Sequence, residues 1–232
     1  MLSRKPNLII VAGPNGSGKT VTTDIIRKNS PHWFSGIIEI NPDVIAQRKF
    51  GDWNNKECVL KAAKLADEIR EKCLIEKQDL LFETVLSTRE KVDYISRAKA
   101  NGFFIRLVYV ATEGPEINAK RVALREDQGG HGVPVDKIYS RYEKSLRLST
   151  DAALIADRSY FVDNSRTVAS SADMFQPTPI FRTNNGVIVK KYLEEESFPK
   201  WVRPIYISIS CKYAVDNKKI TISENRNPTI SI

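Results

Sequence analysis

Gly13, Gly18, Lys19 and Thr20 stand at the spacing G-x-x-x-x-G-K-T in "GPNGSGKT", residues 13–20. That spacing is chemistry for phosphate. Glycines let the backbone curl so that successive N–H groups point inward and form an anion nest. A following helix adds its positive end. Gly13, Pro14, Asn15, Gly16, Ser17 and Gly18 are therefore read as the cradle of a nucleotide. Lys19 is expected to reach the β- and γ-phosphates, and Thr20 to take one position on Mg²⁺. A chance match in a turn is the alternative. It is disfavoured by the apolar run "NLIIV" before the loop and the helical pattern of "VTTDIIRKN" after it.

Other candidates lie where chain segments of alternating type place them. Asp43 follows the second apolar run in "EINPDVIA", and Glu83 closes the third in "LLFETVLST". In a parallel sheet, ligands sit beyond the carboxyl ends of the strands, so both carboxylates are expected at the cleft that holds the phosphates. Asp43 reads either as a general base or as a helix N-cap, and Glu83 either as a site carboxylate or as a surface anion. Arg125 and Arg141 flank Gly129-Gly130 on two predicted helices, the build of a lid that can close arginines over a transferring phosphoryl group. Arg121, on the same helix as Arg125, reads as an ordinary surface arginine. His32 and His131 have no second histidine or cysteine at ligand spacing, and loop roles are expected for both. Asp163-Asn164-Ser165 reads either as a frame for the nucleotide or as a simple cap. No aspartate ends the long fourth strand as a Walker B residue would, which argues against a motor ATPase.

The elements that must position these groups alternate. Five apolar runs predict strands: Asn7–Val11, Gly36–Ile40, Leu80–Thr84, Phe103–Thr112 and Tyr160–Asp163. Between them Ala62, Leu65, Ala66, Ile69 and Cys73 recur at helical steps, and Ser87 with Glu90 predicts a capping box. Pro115 and Pro134 are expected in first helical turns. The predicted class is α/β: a three-layer P-loop kinase fold, with a parallel sheet, helices on both faces and a helical lid over about 113–150. Asn184-Asn185-Gly186 predicts a small C-terminal hairpin. The expected division is a kinase domain over 1–200 and a peripheral tail over 201–232, the tail β-prone and without helical period.

Composition bounds the partners. The 232 residues carry a formal charge of +8, with lysines and arginines dispersed. Anionic small molecules suit such a surface, whereas no aromatic-interleaved basic stretch supports nucleic acid. No run reaches the roughly 18 apolar residues that span a bilayer, and "MLSRKPN" leads straight into the first strand without a signal peptide. Cys58, Cys73 and Cys211 read as free thiols of a reducing cytoplasm.

The segments "AGPNGSGKT", "NPDVIA", "FETVLST", "RVALREDQGGHGVP", "SRYEKSL" and "VDNS" resemble, in order, those of the zeta toxin family, from about Asn7 to Ser165. That resemblance implies transfer of the ATP γ-phosphate to a hydroxyl of a nucleotide-activated amino sugar such as UDP-N-acetylglucosamine. It also implies a cognate antitoxin as a possible protein partner. By motif, Asp43 resembles the base, Lys19 the phosphate-binding lysine, and Arg125 and Arg141 the arginines on the transferring phosphate. Glu83, with Thr84 and Thr88, resembles the substrate-positioning motif. The "GGHGVP" lid resembles the shorter chromosomal branch rather than the proven sugar kinases. Two rival readings remain open: a kinase for an antibiotic, nucleoside or nucleic-acid end, and a nucleotide-gated binding protein.

Overall fold

A computed structural model describes residues 4–51, 55–166 and 177–220. Its centre is a seven-stranded sheet in the order β2-β3-β1-β4-β5-β6-β7. The first five strands are β1 (Asn7–Ala12), β2 (Ile38–Ile40), β3 (Leu80–Thr84), β4 (Phe104–Ala111) and β5 (Arg158–Asp163). They pair in parallel, as alternation with helices requires. β1 lies between β3 and β4, and Leu8, Ile9, Ile10, Val11 and Ala12 are all buried, which is why its sequence is apolar throughout. β6 (Thr178–Asn184) and β7 (Val187–Lys191) add an antiparallel hairpin to the same sheet. Its turn has positive φ at both Asn185 and Gly186, the pairing a two-residue hairpin favours.

Seven helices connect or close these strands among the described residues: α1 (Lys19–Asn29), α2 (Pro42–Phe50), α3 (Lys56–Glu76), α4 (Arg89–Ala100), α5 (Pro115–Asp127), α6 (Val135–Ile155) and α7 (Arg203–Ile220). The two faces of the sheet are covered unequally. The larger apolar cluster joins Leu8, Ile10, Phe82, Leu107, Tyr109 and Phe161 to residues of α3, α4, α6 and α7. The smaller contains Val11, Val108, Val110 and Val162, with Ile26 of α1, Trp33 and Tyr160 packed against it. Pro115 opens α5 as expected, and Pro134 is the residue just before α6.

Two expectations are corrected. The expected capping box at Ser87 is absent, because α4 starts one residue later with Thr88 as its N-cap and no side-chain cap bond. The cause is the preceding turn. Thr84 Oγ1 accepts the N–H of Leu86, and Leu86, fully buried, takes a positive φ that resets the helix entry. The segment after Lys200, expected as a β-prone peripheral tail, instead forms α7, and Trp201, Val202, Ile205 and Ile209 are buried in the larger cluster. Residues 221–232, the polar end of the expected tail, lie outside the described residues. Cys58, Cys73 and Cys211 are free thiols. Among the described residues no helix is long and apolar enough to cross a membrane.

Candidate active site

The loop between β1 and α1 is built by close packing. A Cβ on Gly13 would stand 1.9 Å from the Val110 carbonyl oxygen, so only glycine lets the loop pass β4. Gly13 N donates to the Thr84 carbonyl at 3.1 Å, tying the loop to β3. Gly18 is the N-cap of α1 at φ 91°, and no side chain caps that helix. Its first turn carries no acidic residue. The orphan N–H groups and the positive end of α1 therefore face the loop uncompensated, which suits an anion.

Lys19 Nζ donates to the carbonyls of Gly13 and Pro14, both at 2.9 Å. Burial pushes its ammonium down from the ordinary range to about 8, Glu83 and Asp43 oppose that shift, and the Arg125 charge adds to it. The charges of Glu83, Asp43 and Arg125 thus converge on Lys19. Thr20 Oγ1 donates to Glu83 Oε2 at 3.0 Å, and Thr23 Oγ1 donates to Glu83 Oε1 at 2.9 Å. A hydroxyl and a carboxylate held together beside a phosphate nest are the protein ligands that Mg²⁺ takes when nucleotide phosphates and water supply the rest. No group of three or more His, Cys, Asp or Glu suited to a metal occurs among the described residues.

Asp43 lies in the first turn of α2 and is exposed. It is not the cap. Asn41 is, its side-chain oxygen accepting the N–H groups of Asp43 at 3.0 Å and Val44 at 3.4 Å. The structural alternative for Asp43 thereby falls to Asn41. A cleft of about 430 Å³ opens between α1, α2 and β3, lined by Thr20, Thr23, Asn41, Val44, Arg48 and Glu83 among others. Arg27 on its wall is paired with Asp24 and Glu39. Arg48, also on its wall, makes no ion pair with a described residue. Of the three residues in the third-strand motif, Glu83 alone lines this cleft. Thr84 is engaged by Leu86, and Thr88 is exposed at the start of α4.

The lid arginines are placed differently. Arg125 is exposed, and its Nη2 donates to the His131 carbonyl at 2.6 Å. Gly129 N and Gly130 N donate to the carbonyls of Glu126 and Arg125, both at 2.9 Å, so the glycine pair folds back on the end of α5. Arg141 is half-buried on α6 and hydrogen-bonds to no described residue. Arg121 is not the ordinary surface residue its position suggested: its Nε and Nη1 are buried, and desolvation lowers its pKa against the favourable charge of Asp163. The residue beside buried Val122 turns inward with it. His32 is exposed, and His131 serves the loop through its carbonyl.

Asp163, Asn164 and Ser165 divide their work. Asn164 is fully buried and donates from Nδ2 to the Ser17 carbonyl at 2.8 Å, bracing the phosphate loop from β5. Asp163 accepts from Ser165 Oγ at 2.6 Å and from Trp201 Nε1 at 2.9 Å. Sequence reasoning left Asn164 undecided and did not single out Thr23 or Asn118. Thr23 stands three residues after Thr20, on the same helical face, a spacing that could have found it. Asn118 packs its backbone against Gly16, and its fully buried side chain accepts from Thr112 Oγ1 at 2.6 Å. No local signal marks it. The search for a Walker B carboxylate looked to the fourth strand, whereas β3 is the neighbour of β1 that brings Glu83 to Thr20.

Sheet order, phosphate loop and converging charges define a P-loop kinase fold. A family model for the zeta toxin matches residues 2–169, and the chain belongs to that family. An uncharacterized protein of Haemophilus influenzae is 35% identical over 68 residues, 28% of this chain and 49% of that protein, so the match spans about half the relative's length. The crystal structure of AvrRxo1-ORF1:-ORF2 with ATP is similar at TM-score 0.62 and 15% identity, over 89% of this chain and 64% of that one. The PezAT chromosomal toxin-antitoxin system of Streptococcus pneumoniae is similar at TM-score 0.54 and 17% identity, over 94% of this chain and 87% of that one.

Proposed function

We propose that the protein is an ATP- and Mg²⁺-dependent kinase that phosphorylates a hydroxyl of a nucleotide-activated amino sugar such as UDP-N-acetylglucosamine. The observation that carries the reading is Glu83, held by Thr20 and Thr23 of the helix behind the phosphate loop, on the wall of a cleft large enough for a second substrate. Lys19 leaves the Gly13 and Pro14 carbonyls for the β- and γ-phosphates, an exchange of two neutral acceptors for anionic ones. Thr20 and Glu83 would hold the magnesium ion, which when bound neutralises charge on the phosphate oxygens. Asp43 accepts the proton of the acceptor hydroxyl as that oxygen attacks the γ-phosphorus, the bond from that phosphorus to the bridging oxygen breaks, and ADP leaves. Arg125 and Arg141, carried by the lid over about 113–150, supply positive charge to the phosphoryl group in flight. Arg48, with no ion-pair partner on the cleft wall, suits an acceptor that brings its own phosphates.

The acceptor comes from the family resemblance, and Arg48 supports it. A cognate antitoxin is proposed on the same ground, since one similar structure is that of a toxin-antitoxin system. The free thiols fit a cytoplasmic setting. The test is mass spectrometry of UDP-N-acetylglucosamine, and separately of a metabolite extract, after incubation with protein and ATP. A product heavier by one phosphate from the nucleotide sugar establishes the reading. A phosphorylated antibiotic, nucleoside or oligonucleotide end in its place keeps the kinase and replaces the acceptor. ATP bound but never consumed leaves a nucleotide-gated binding protein.

A further inference from the structure

The less covered face of the sheet carries a feature that phosphate transfer does not use. Residues paired directly across strands lie on one face. One transverse row there runs Ile9, Arg106, Arg158, Asn184, Val187 from β1 to β7, and the next runs Val11, Val108, Tyr160, Arg182, Lys190. Arg106 is thus directly opposite Arg158, and Arg182 directly opposite Lys190. Like charges set opposite one another destabilise a sheet, so this arrangement costs stability in the isolated chain.

Among the described residues no carboxylate forms an ion pair with these cations, although the charges of Asp79 and Asp157 act favourably on Arg106. Arg106 donates from Nη1 to Asn7 and lies over the rings of Phe104 and Trp33, 4.5 and 5.1 Å from their centroids. Arg158, Arg182 and Lys190 make no ion pair with a described residue. The acids at this end of the sheet are engaged: Asp79 by Arg4 and Asn7, Asp157 by Lys99 and the N–H of Ile105. Nε of Arg106, Arg158 and Arg182 and Oδ1 of Asn184 are buried without a hydrogen-bond partner. Burial and the facing Arg158 push the Arg106 pKa down. Three half-buried arginines and exposed Lys190, which lies 4.8 Å from the centroid of the Tyr192 ring, thus share this face on four adjacent strands without an ion pair to a described residue.

We infer that this face, formed by Arg106, Arg158, Arg182 and Lys190, docks an acidic α-helix of a protein partner. Four strands about 4.8 Å apart span about 14 Å, enough to seat one helix about 10–12 Å across with its side chains. Carboxylates at i and i+4 on a helix are about 5–6 Å apart, close to the spacing of the cation rows. Trp33, Tyr160 and the (CH₂)₃ stems of the arginines give an apolar floor for such a helix. Nucleic acid fits less well, because the Arg106 guanidinium already occupies the ring faces on which bases would stack. Arg106 and Arg158 stand at the amino-terminal half of their strands, away from the phosphate loop, and the inference does not depend on the kinase reading.

The test is fluorescence anisotropy with a labelled amphipathic peptide of three Glu-Ala-Leu-Glu-Glu-Leu-Ala repeats, and with a labelled single-stranded RNA as competitor. The parent chain should bind the peptide saturably, and more weakly as salt rises. The pair Arg158→Glu with Arg182→Glu should weaken binding at least tenfold. Lys190→Glu, an exposed edge position that leaves packing intact, should weaken it about threefold. Lys64→Glu, exposed on α3 over the opposite face, should change nothing. Binding of a non-hydrolysable ATP analogue, equal in all four proteins, reports an intact fold. No saturable binding, equal loss in the Lys64 variant, retention by Lys190→Glu, or RNA binding tighter than the peptide would each overturn the inference.

Discussion

The phosphate loop and the rim of the proposed lid, the turn between α5 and α6, are held in opposite ways. The loop is pinned on three sides, by Gly13 to β3, by Asn164 from β5 and by Asn118 under Gly16. Its shape is set before any nucleotide arrives. The rim hangs on short bonds within its own turn and on one bond from exposed Arg125 to the His131 carbonyl. A preorganised cradle binds the ground state; a loosely held rim can reserve its contacts for the moment of transfer. Substitutions in the two regions should therefore divide between binding and turnover.

The sharpest break of that division is Lys19→Ala. Kinase turnover should fall at least about 10³-fold, and ATP affinity should fall with it. Thermal stability should not drop, because the lysine is held there against a desolvation cost. Retained turnover in the folded variant removes the loop from the mechanism. Asp43→Asn comes next and should lower kcat by about 10² to 10⁴ with ATP affinity unchanged. Since Asn41 is the cap of α2, the helix itself is not at risk, and a stability loss would be evidence against the base assignment.

How far the sequence carried these roles depended on whether the deciding contact was local. β1, the loop and α1 are contiguous, and their apolar run, glycines and helical period were all legible. Glu83 was legible as a carboxylate at a strand end, but its bonds to Thr20 and Thr23, like the brace from Asn164, depend on strand order, which is not written in any window. α7 shows the opposite failure. "PIYISIS" alternates as a strand does, and its β-branched residues favour one. Yet Ile205 and Ile209 are buried while Ile207, between them, is 58% exposed, so the working period is helical and tertiary packing overrode the local preference. The role of Asp43 was legible only as a pair of alternatives, of which the cap falls to Asn41.

On the rim, Arg125→Ala and Arg141→Ala should each cost kcat about 10²-fold and leave ATP affinity within twofold. Acceptor together with ATP analogue should raise hydrogen-exchange protection over 125–141 above the level that the analogue gives alone. A rim equally mobile in both states would sink the lid. Arg121→Ala is set apart from this pair by its partly buried guanidinium. That burial predicts a loss of stability, not a pure kcat effect.

Asn164→Ala tests the brace behind the loop. It leaves the Ser17 carbonyl without its buried donor, which costs about 1 to 3 kcal/mol of stability, read as a lower Tm. ATP affinity should fall several-fold and kcat little. A kcat loss matching that of Asp43→Asn would place Asn164 in the chemistry rather than behind it.

The smallest expected effect is a titration, and its sign separates the free loop from the occupied one. In the free protein Lys19 loses its proton near pH 8, below the ordinary lysine value of 10.5. Between those values the unfolded chain binds the extra proton, so stability of the free protein should rise with pH through that window. Phosphates favour the charged lysine, so nucleotide binding must restore the proton and weaken as pH rises above 8. From pH 7 to 8.5 the ATP analogue should lose roughly fourfold in affinity from this group alone. Calorimetry at pH 8.5 in two buffers of different ionisation enthalpy should show proton uptake on binding. Lys19→Ala should abolish both the uptake and the pH-dependent part of the affinity. Proton release in the parent, or uptake that survives the substitution, would mean that Lys19 is already charged in the free loop and that its bonds to Gly13 and Pro14 hold an ammonium ready for phosphate.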